Sequence, residues 1–445
     1  MLEPLRNPTY RHLFAAQVIA LIGTGLLTVA LGLLAYDLAG QNAGAVLGTA
    51  LAIKMIAYVG IAPIAGAAAG LLPRRAMLVS LDLVRALIAL GLPFITQVWQ
   101  IYVLIFVLQA ASAAFTPTFQ ATIPDILAEE EDYTRALSLS RIAYDLESLL
   151  SPLLAAALLT VVSFHVLFAG TAIGFLLSAA FVLSVSLPQP KPSGTSGFVE
   201  RLTLGLRIFI ATPRLRGLLA LNLTAAAAGA IVFVNTVVII RDTLGFGDQA
   251  VALTLAAFGL GSMASAFALP RLLEREPDRS VMLLGALIMT AGLAASGLAL
   301  ANFTGSAAWF VLLPLWAILG IGYGMMLTPT GRLLRRSAHD ADRPGLFAAQ
   351  FALSHACWLL TYPVAGWAGA VIGLSATILL HAAIAGGALA AATRLWPRDD
   401  QETLSHTHPD LPAFHPHLRG HEGQGQGGHA HVFVIDTLHR RWPSQ

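Results

Sequence analysis

HLFAAQVIALIGTGLLTVALGLLAY, residues 12–36, runs for 25 positions without an aspartate, glutamate, lysine or arginine. At 1.5 Å per residue, a helix of that length reaches about 37 Å, more than the ~30 Å hydrocarbon core of a bilayer. Eleven more runs of the same character follow, at 44–70, 76–94, 99–120, 137–163, 164–187, 216–241, 249–271, 280–301, 306–330, 345–369 and 371–395. The chain of 445 residues is 56% hydrophobic and 11% charged, where a soluble domain carries about 25% charged residues. This excludes a water-soluble enzyme, and it excludes disorder over most of the chain. One cysteine, Cys357, excludes a disulfide framework and any Cys-rich metal cluster. A net charge of +2 gives no nucleic-acid signal. The first run is too long for a signal-peptide core, so it is expected in the mature protein.

The charges set the expected orientation. All but two of the 26 lysines and arginines fall in the N-terminus, in loops after even-numbered runs with their adjoining helix ends, or in the C-terminal region. The exceptions are Lys54, inside the second run, and Arg241. By the positive-inside rule both termini are expected in the cytoplasm. Pro188-Gln189-Pro190-Lys191-Pro192-Ser193-Gly194 breaks the apolar pattern and reads as a linker. The expected fold is an all-α membrane protein of twelve transmembrane helices in two six-helix halves. The halves are 1–187 and 216–398, joined by a cytoplasmic linker at 188–215 and followed by a tail at 399–445. An offset of 211 aligns Pro152 with Pro363 and Tyr144 with His355, a weak internal repeat. Transporters built from two such halves place their substrate site near mid-membrane between them.

Twelve helices in two halves with a basic central loop resemble the major facilitator superfamily, over about 395 residues. Gly66-Ala67-Ala68-Ala69-Gly70-Leu71-Leu72-Pro73-Arg74-Arg75 is similar to that superfamily's loop signature, Gly-x-x-x-Asp-Arg-x-x-Arg-Arg, with Gly70 and Leu71 in place of the Asp-Arg pair. Asp82-Leu83-Val84-Arg85-Ala86, Phe115-Thr116-Pro117, Ile123-Pro124-Asp125 and Ala136-Leu137-Ser138-Leu139 resemble its branch of macrolide and enterobactin exporters. Of the antiporter signature only Ser151-Pro152 is kept. The resemblance implies alternating access, with Arg74, Arg75, Asp82 and Arg85 bracing a cytoplasmic gate.

The tail holds eight of the thirteen histidines. His-x-His occurs as His406/His408, His415/His417 and His429/His431, and His421 and His439 add two more imidazoles. In an extended chain, residues i and i+2 point the same way, and neutral imidazole suits nickel, copper, zinc and cobalt. Gly420–Gly428 is flexible and polar, which predicts disorder. Val432-Phe433-Val434-Ile435 is apolar again, a segment suited to docking. With this tail the chain resembles the bacterial nickel-resistance exporters. That resemblance implies a multi-pass protein of the bacterial inner membrane, working as a monomer in the lipid bilayer. It also implies divalent metal as substrate (nickel, with cobalt second), protons as the driving partner, no resident cofactor and no nucleic acid.

Ionisable side chains inside a membrane are costly and mark pathways by default. The fifth run carries Arg141, Asp145 and Glu147. Asp145 lies about 12 Å and Glu147 about 15 Å beyond the run's start, and the two differ by about 200° around a helix. They cannot share a face, so one is expected to face the cavity and carry the proton. Arg141 and Asp145, at i,i+4, can equally form a structural pair. In the eleventh run His355 is a metal-ligand candidate or an interhelical hydrogen-bonder, and Cys357 is on a different face. Asp37, ending the first run, is a release site for a proton or ion, or a solvated helix end. Lys54 pairs with an acid, repels cations from an empty site, or snorkels. No nucleotide-binding loop and no Ser-His-Asp arrangement is readable. Two other functions stay open: export of hydrophobic drugs, macrolides or siderophores, and metal sensing or buffering without transport.

Overall fold

The first helix starts where its backbone is provided for. The Asn7 side chain accepts the amides of Thr9 and Tyr10 at 3.0 and 3.2 Å, and Pro8 at the first turn needs no partner for a missing N–H. α1 then runs over Pro8–Ala39 and stops at Gly40, whose positive φ of 52° suits glycine. The structure is a computed structural model. It describes residues 3–68, 73–127, 129–188, 198–339, 342–400, 403–407, 428–436, 438–439 and 441–443.

Five more helices complete the first half: α2 (Ala43–Ala68), α3 (Arg74–Gly91), α4 (Val98–Ile126), α5 (Glu130–Leu158) and α6 (Phe164–Leu183). α7 (Phe198–Ala211) lies within the linker. The next span is α8 (Pro213–Ala230), a π-helical turn at Ile231–Asn235, α9 (Thr236–Val238) and a second π-turn at Ile239–Thr243. α10 (Asp248–Leu273), α11 (Asp278–Asn302), α12 (Gly305–Leu327), the short α13 (Thr330–Arg335), α14 (Arg343–Ile372) and α15 (Leu374–Leu395) follow. Each of the twelve apolar runs is a long helix. By length and apolarity alone, nine stretches of the described residues qualify as spans, the first of them, Pro8–Ile61, covering α1 and α2 together. α5 starts at Glu130, well ahead of the run at 137, because apolarity marks what sits in lipid and not where the helix begins.

Within the first half α1 packs on α5 and α6, α3 on α4 and α6, and α2 on α4. Within the second, α8 packs on α14 and α15, α10 on α12, and α11 on α12 and α15. Between the halves α2 runs along α14 and α5 along α10, while α7 lies against α14. The bundle has a face that bears both termini and a far face. At the far face the α2–α14 contact is backbone on backbone. A Cβ on Gly48 would stand 2.5 Å from the Tyr362 carbonyl oxygen, and one on Gly366 would stand 2.3 Å from that of Gly44. Trp367 Nε1 donates to Thr49 Oγ1 at 3.2 Å. Arg241 reaches from the second half to Asp37 of the first at 3.0 Å, and to Asp248 of its own half at 3.2 Å. On the terminus-bearing face, the ion pairs among the described residues each stay within one half. The halves are therefore closed at the far face.

The tail corrects the expectation of disorder. β1 (Thr403–Thr407) and β2 (Gly428–Val432) pair antiparallel, with His406 opposite His429 and Leu404 opposite His431. Phe433, Val434 and Ile435 are buried, and the Phe433 ring packs on those of His439 and Trp442 at 4.7 and 5.1 Å. Trp442 lies under the Arg214 guanidinium at 5.3 Å, at the start of α8. Asp436 accepts the amides of Leu438 and His439 at 2.8 and 2.6 Å, and its carboxylate faces His339 at 3.6 Å. Partial burial works against the Asp436 charge, but these backbone donors and the His439 ring hold its carboxyl below the usual range. Composition averaged over the tail hid this short apolar segment, which is enough to dock it on the second half.

Replacing Gly366 with valine must push α2 and α14 apart, an overpacking worth about 1–3 kcal/mol. In a Cys357→Ser background, spin labels at Thr96→Cys and Thr304→Cys, one on the far face of each half, are expected to move apart in the Gly366→Val variant. An unchanged distance distribution would mean that the glycine contact does not hold the far face shut.

Candidate functional site

Glu147 sits on α5, 11 residues before its end at Leu158. Lys54 sits on α2, 11 residues after its start at Ala43. At 1.5 Å per residue both lie about 17 Å in from the far end, near the middle of a ~30 Å core. Gly25 of α1 makes room for α5 here: a Cβ on it would meet Ser151 Oγ at 1.9 Å and Glu147 Oε1 at 3.1 Å. Lys54 Nζ stands 5.6 Å from the centroid of the Tyr58 ring, one helical turn on. Tyr58 then bridges the halves, its ring edge-on to His355 at 5.4 Å and to Phe351 at 5.9 Å.

His355 Nδ1 lies 2.7 Å from the Phe351 carbonyl oxygen. A carbonyl only accepts, so Nδ1 carries the proton and Nε2 is left as the basic nitrogen. Lys54, Glu147, Tyr58 and His355 are all half-buried. Lys54 interacts electrostatically with both Glu147 and His355. The arrangement offers one carboxylate, one ammonium, one imidazole nitrogen and two aromatic faces at the junction of the halves. Cys357 is a buried free thiol. Among the described residues no group of three or more His, Cys, Asp or Glu side chains is placed to hold a metal ion.

The other expected site residues have different neighbours. Asp82 and Arg85 pair with each other, buried, with Arg85 between the rings of Phe115 and Phe175 at 4.2 and 4.5 Å. Ser178 Oγ donates to Asp82 at 2.7 Å, so this pair ties α3 to α4 and α6. Arg74 pairs with Asp125 of α4, and Arg75 donates to the Leu183 carbonyl at the end of α6. All four of these residues hold the first half to itself. Asp37 is engaged by Arg241, which also stacks on Tyr36 at 4.4 Å. The side chains of Arg141 and Asp145 lie outside the described residues, as do His408, His415, His417 and His421; His406 and His429 are described in their backbone alone. His431 and His439 lie ring to ring at 5.1 Å.

Sequence reading passed over several polar residues that the bundle uses. Tyr58 could have been found, one turn from Lys54 on the same face. Asn222 of α8 donates to Gln350 of α14 at 3.2 Å, one turn from Phe351 and His355. His381 of α15 is fully buried between the carbonyls of Thr377 and Thr361, at 2.9 and 3.4 Å. It is a satisfied hydrogen-bonder inside the second half.

Two six-helix halves meeting at a polar interior near mid-membrane are the build of a secondary transporter. The sequence profile of the Major Facilitator Superfamily matches residues 13–311 and 218–420, and the chain belongs to that superfamily. It is a multi-pass integral membrane protein. It is 25% identical over 348 residues to the uncharacterized MFS-type transporter YfiS of Bacillus subtilis (strain 168), covering 73% of this chain and 79% of YfiS. A bacterial homolog of the human lysosomal transporter Spinster, solved inward-facing and unoccupied, has the same fold with a TM-score of 0.68 at 14% identity, over 88% of this chain and 98% of that one. A D-xylose–proton symporter superposes with a TM-score of 0.65 at 15% identity, over 88% and 98%.

Breaking the buried Asp82–Arg85 pair leaves a charge without its partner, a loss of about 3–5 kcal/mol. Arg85→Met is expected to lower the unfolding temperature in detergent sharply, and adding Asp82→Asn to recover part of the loss. If Arg85→Met unfolds like wild type, the pair does not brace the first half.

Proposed function

We propose that the protein exports divalent metal cations, nickel or cobalt, from the cytoplasm by alternating access of its two halves, exchanging them for protons at Glu147. The observation that carries the metal reading is the folded tail. Its hairpin sets His406 opposite His429, and the docked segment brings His431 against His439. Histidines spread along the sequence are thus gathered beside the terminus-bearing face. The arginines crowd that face too, which supports a cytoplasmic assignment for it. Closure at the far face then corresponds to a state open to the cytoplasm.

Within this reading Glu147 is neutral when it carries a proton and charged when it receives a cation. The site then never holds an uncompensated charge of either kind for long, the condition for moving charge through hydrocarbon. His355 Nε2 is the second donor. Asp145 stays the alternative proton carrier on α5. The exchange needs no resident cofactor. The tail acts by raising metal concentration at the mouth.

Export of an organic compound is the second reading. It is favoured by the composition of the central site, where no three metal-ligating side chains converge among the described residues and where Lys54, Tyr58 and Phe351 face the cavity with Glu147.

In everted membrane vesicles with an imposed pH gradient, Glu147→Gln is expected to reduce nickel uptake to the level of vesicles without the protein. Wild-type uptake equal to that level would remove metal export and favour the organic reading. Deleting residues 399–445 is expected to raise the KM for nickel and leave the maximal rate unchanged, the signature of a lost local concentration. A fall in maximal rate with KM unchanged would make the tail part of the transport machinery.

A further inference from the structure

The central site poses a difficulty for a bare cation. Lys54 holds a positive charge beside the carboxylate that should receive the metal. It is no ordinary snorkelling lysine, since it lies about 17 Å from the far end of its helix. Nor is it the partner of a salt bridge: among the described residues neither Lys54 nor Glu147 makes an ion pair. The two stand apart, opposite in sign, each half-buried and facing the junction with α14.

A bare divalent ion would need several oxygen or nitrogen donors from the protein. The site supplies Glu147 and His355 Nε2, and then an ammonium that repels it. A cargo bringing its own donors changes the balance. Its metal needs only one or two contacts from the protein, and its carboxylate has a partner in Lys54. The Tyr58 and Phe351 rings, 5.9 Å apart, offer apolar faces to the organic part.

Building on the metal-export reading, we infer that the central site takes its metal as a complex with a small carboxylate-bearing chelator, with Lys54 receiving the carboxylate and Glu147 and His355 facing the cation. Lys54 is then a specificity-determining residue. It admits complexed metal, disfavours naked divalent ions, and rests near the Tyr58 ring when the site is empty. This also assigns the two histidine systems different tasks: the tail concentrates metal, and the bundle selects the form in which it passes.

The test uses the full chain in proteoliposomes with a pH gradient and three probes: nickel chloride, nickel with two equivalents of histidine, and histidine alone. Wild type is expected to move nickel faster when histidine is present, by about tenfold, the size of one charged hydrogen bond. Lys54→Met should abolish that advantage through KM, and Lys54→Arg should keep it. Equal nickel rates with and without histidine overturn this inference and leave metal export standing. Transport of histidine with no nickel moved under any condition keeps the paired-charge recognition and overturns metal export. An advantage of histidine that survives in Lys54→Met removes Lys54 from recognition. No movement of any probe overturns both.

Discussion

Hydrocarbon offers the peptide group no hydrogen-bond partner, so each N–H and C=O inside the membrane must be satisfied by the chain itself. The rest of this structure follows from that constraint. It makes the spans continuous helices, and it removes the hydrophobic difference between a helix–lipid and a helix–helix contact. What then distinguishes a good contact is close approach. The α2–α14 seam is such a contact, with glycines on both helices letting backbone meet backbone. Departures from the α-helical pattern are confined. The π-turns at Ile231–Asn235 and Ile239–Thr243 lie in one span, and nearby polar groups stitch them to their neighbours. Asn235 Nδ2 donates to the Ala365 carbonyl at 3.1 Å, and Trp316 Nε1 donates to Thr236 Oγ1 at 3.0 Å. A helix with widened turns has fewer constraints against bending, and this one borders the seam where the halves meet.

The charges inside and around the bundle fall into three kinds. Asp82 and Arg85 satisfy each other in a buried setting and have nothing left to offer a passing ligand. Arg241 is shared between Asp37 and Asp248 at a wet surface, where such a pair is worth about 1 kcal/mol or less. It is weak enough to be remade in every cycle, and its second partner holds it in place when the first leaves. Lys54 and Glu147 are the third kind, opposite charges that are near but unpaired. Only this last kind has an unmet electrostatic demand, which is what a transport site requires.

Much of the architecture was legible because membrane insertion is itself a reading of apolarity. The twelve runs became twelve long helices, and the Pro-rich break fell between the halves. The boundaries were less legible. α5 extends from Glu130 to Leu158, where its apolar run suggested 137–163, since hydropathy senses partition and not hydrogen bonding. The π-turns left no trace for the same reason. At the site, Glu147 and His355 were visible as ionisable residues in apolar runs. Their neighbourhood was not, because it depends on α2 and α14 lying side by side. Asp37 was read as a free helix end, and Arg241, 204 positions away, takes it. The tail was misread because an average over 399–445 conceals Phe433-Val434-Ile435. Those three residues decide whether the segment folds back.

The docked tail touches Arg214, His339 and the end of α15, all of the second half. It is therefore fixed in the frame of that half and free of the other. As the two halves rock against each other, the hairpin swings with one of them as a needle does on a dial. Its angle to the first half is a direct mechanical record of where the molecule stands in its cycle.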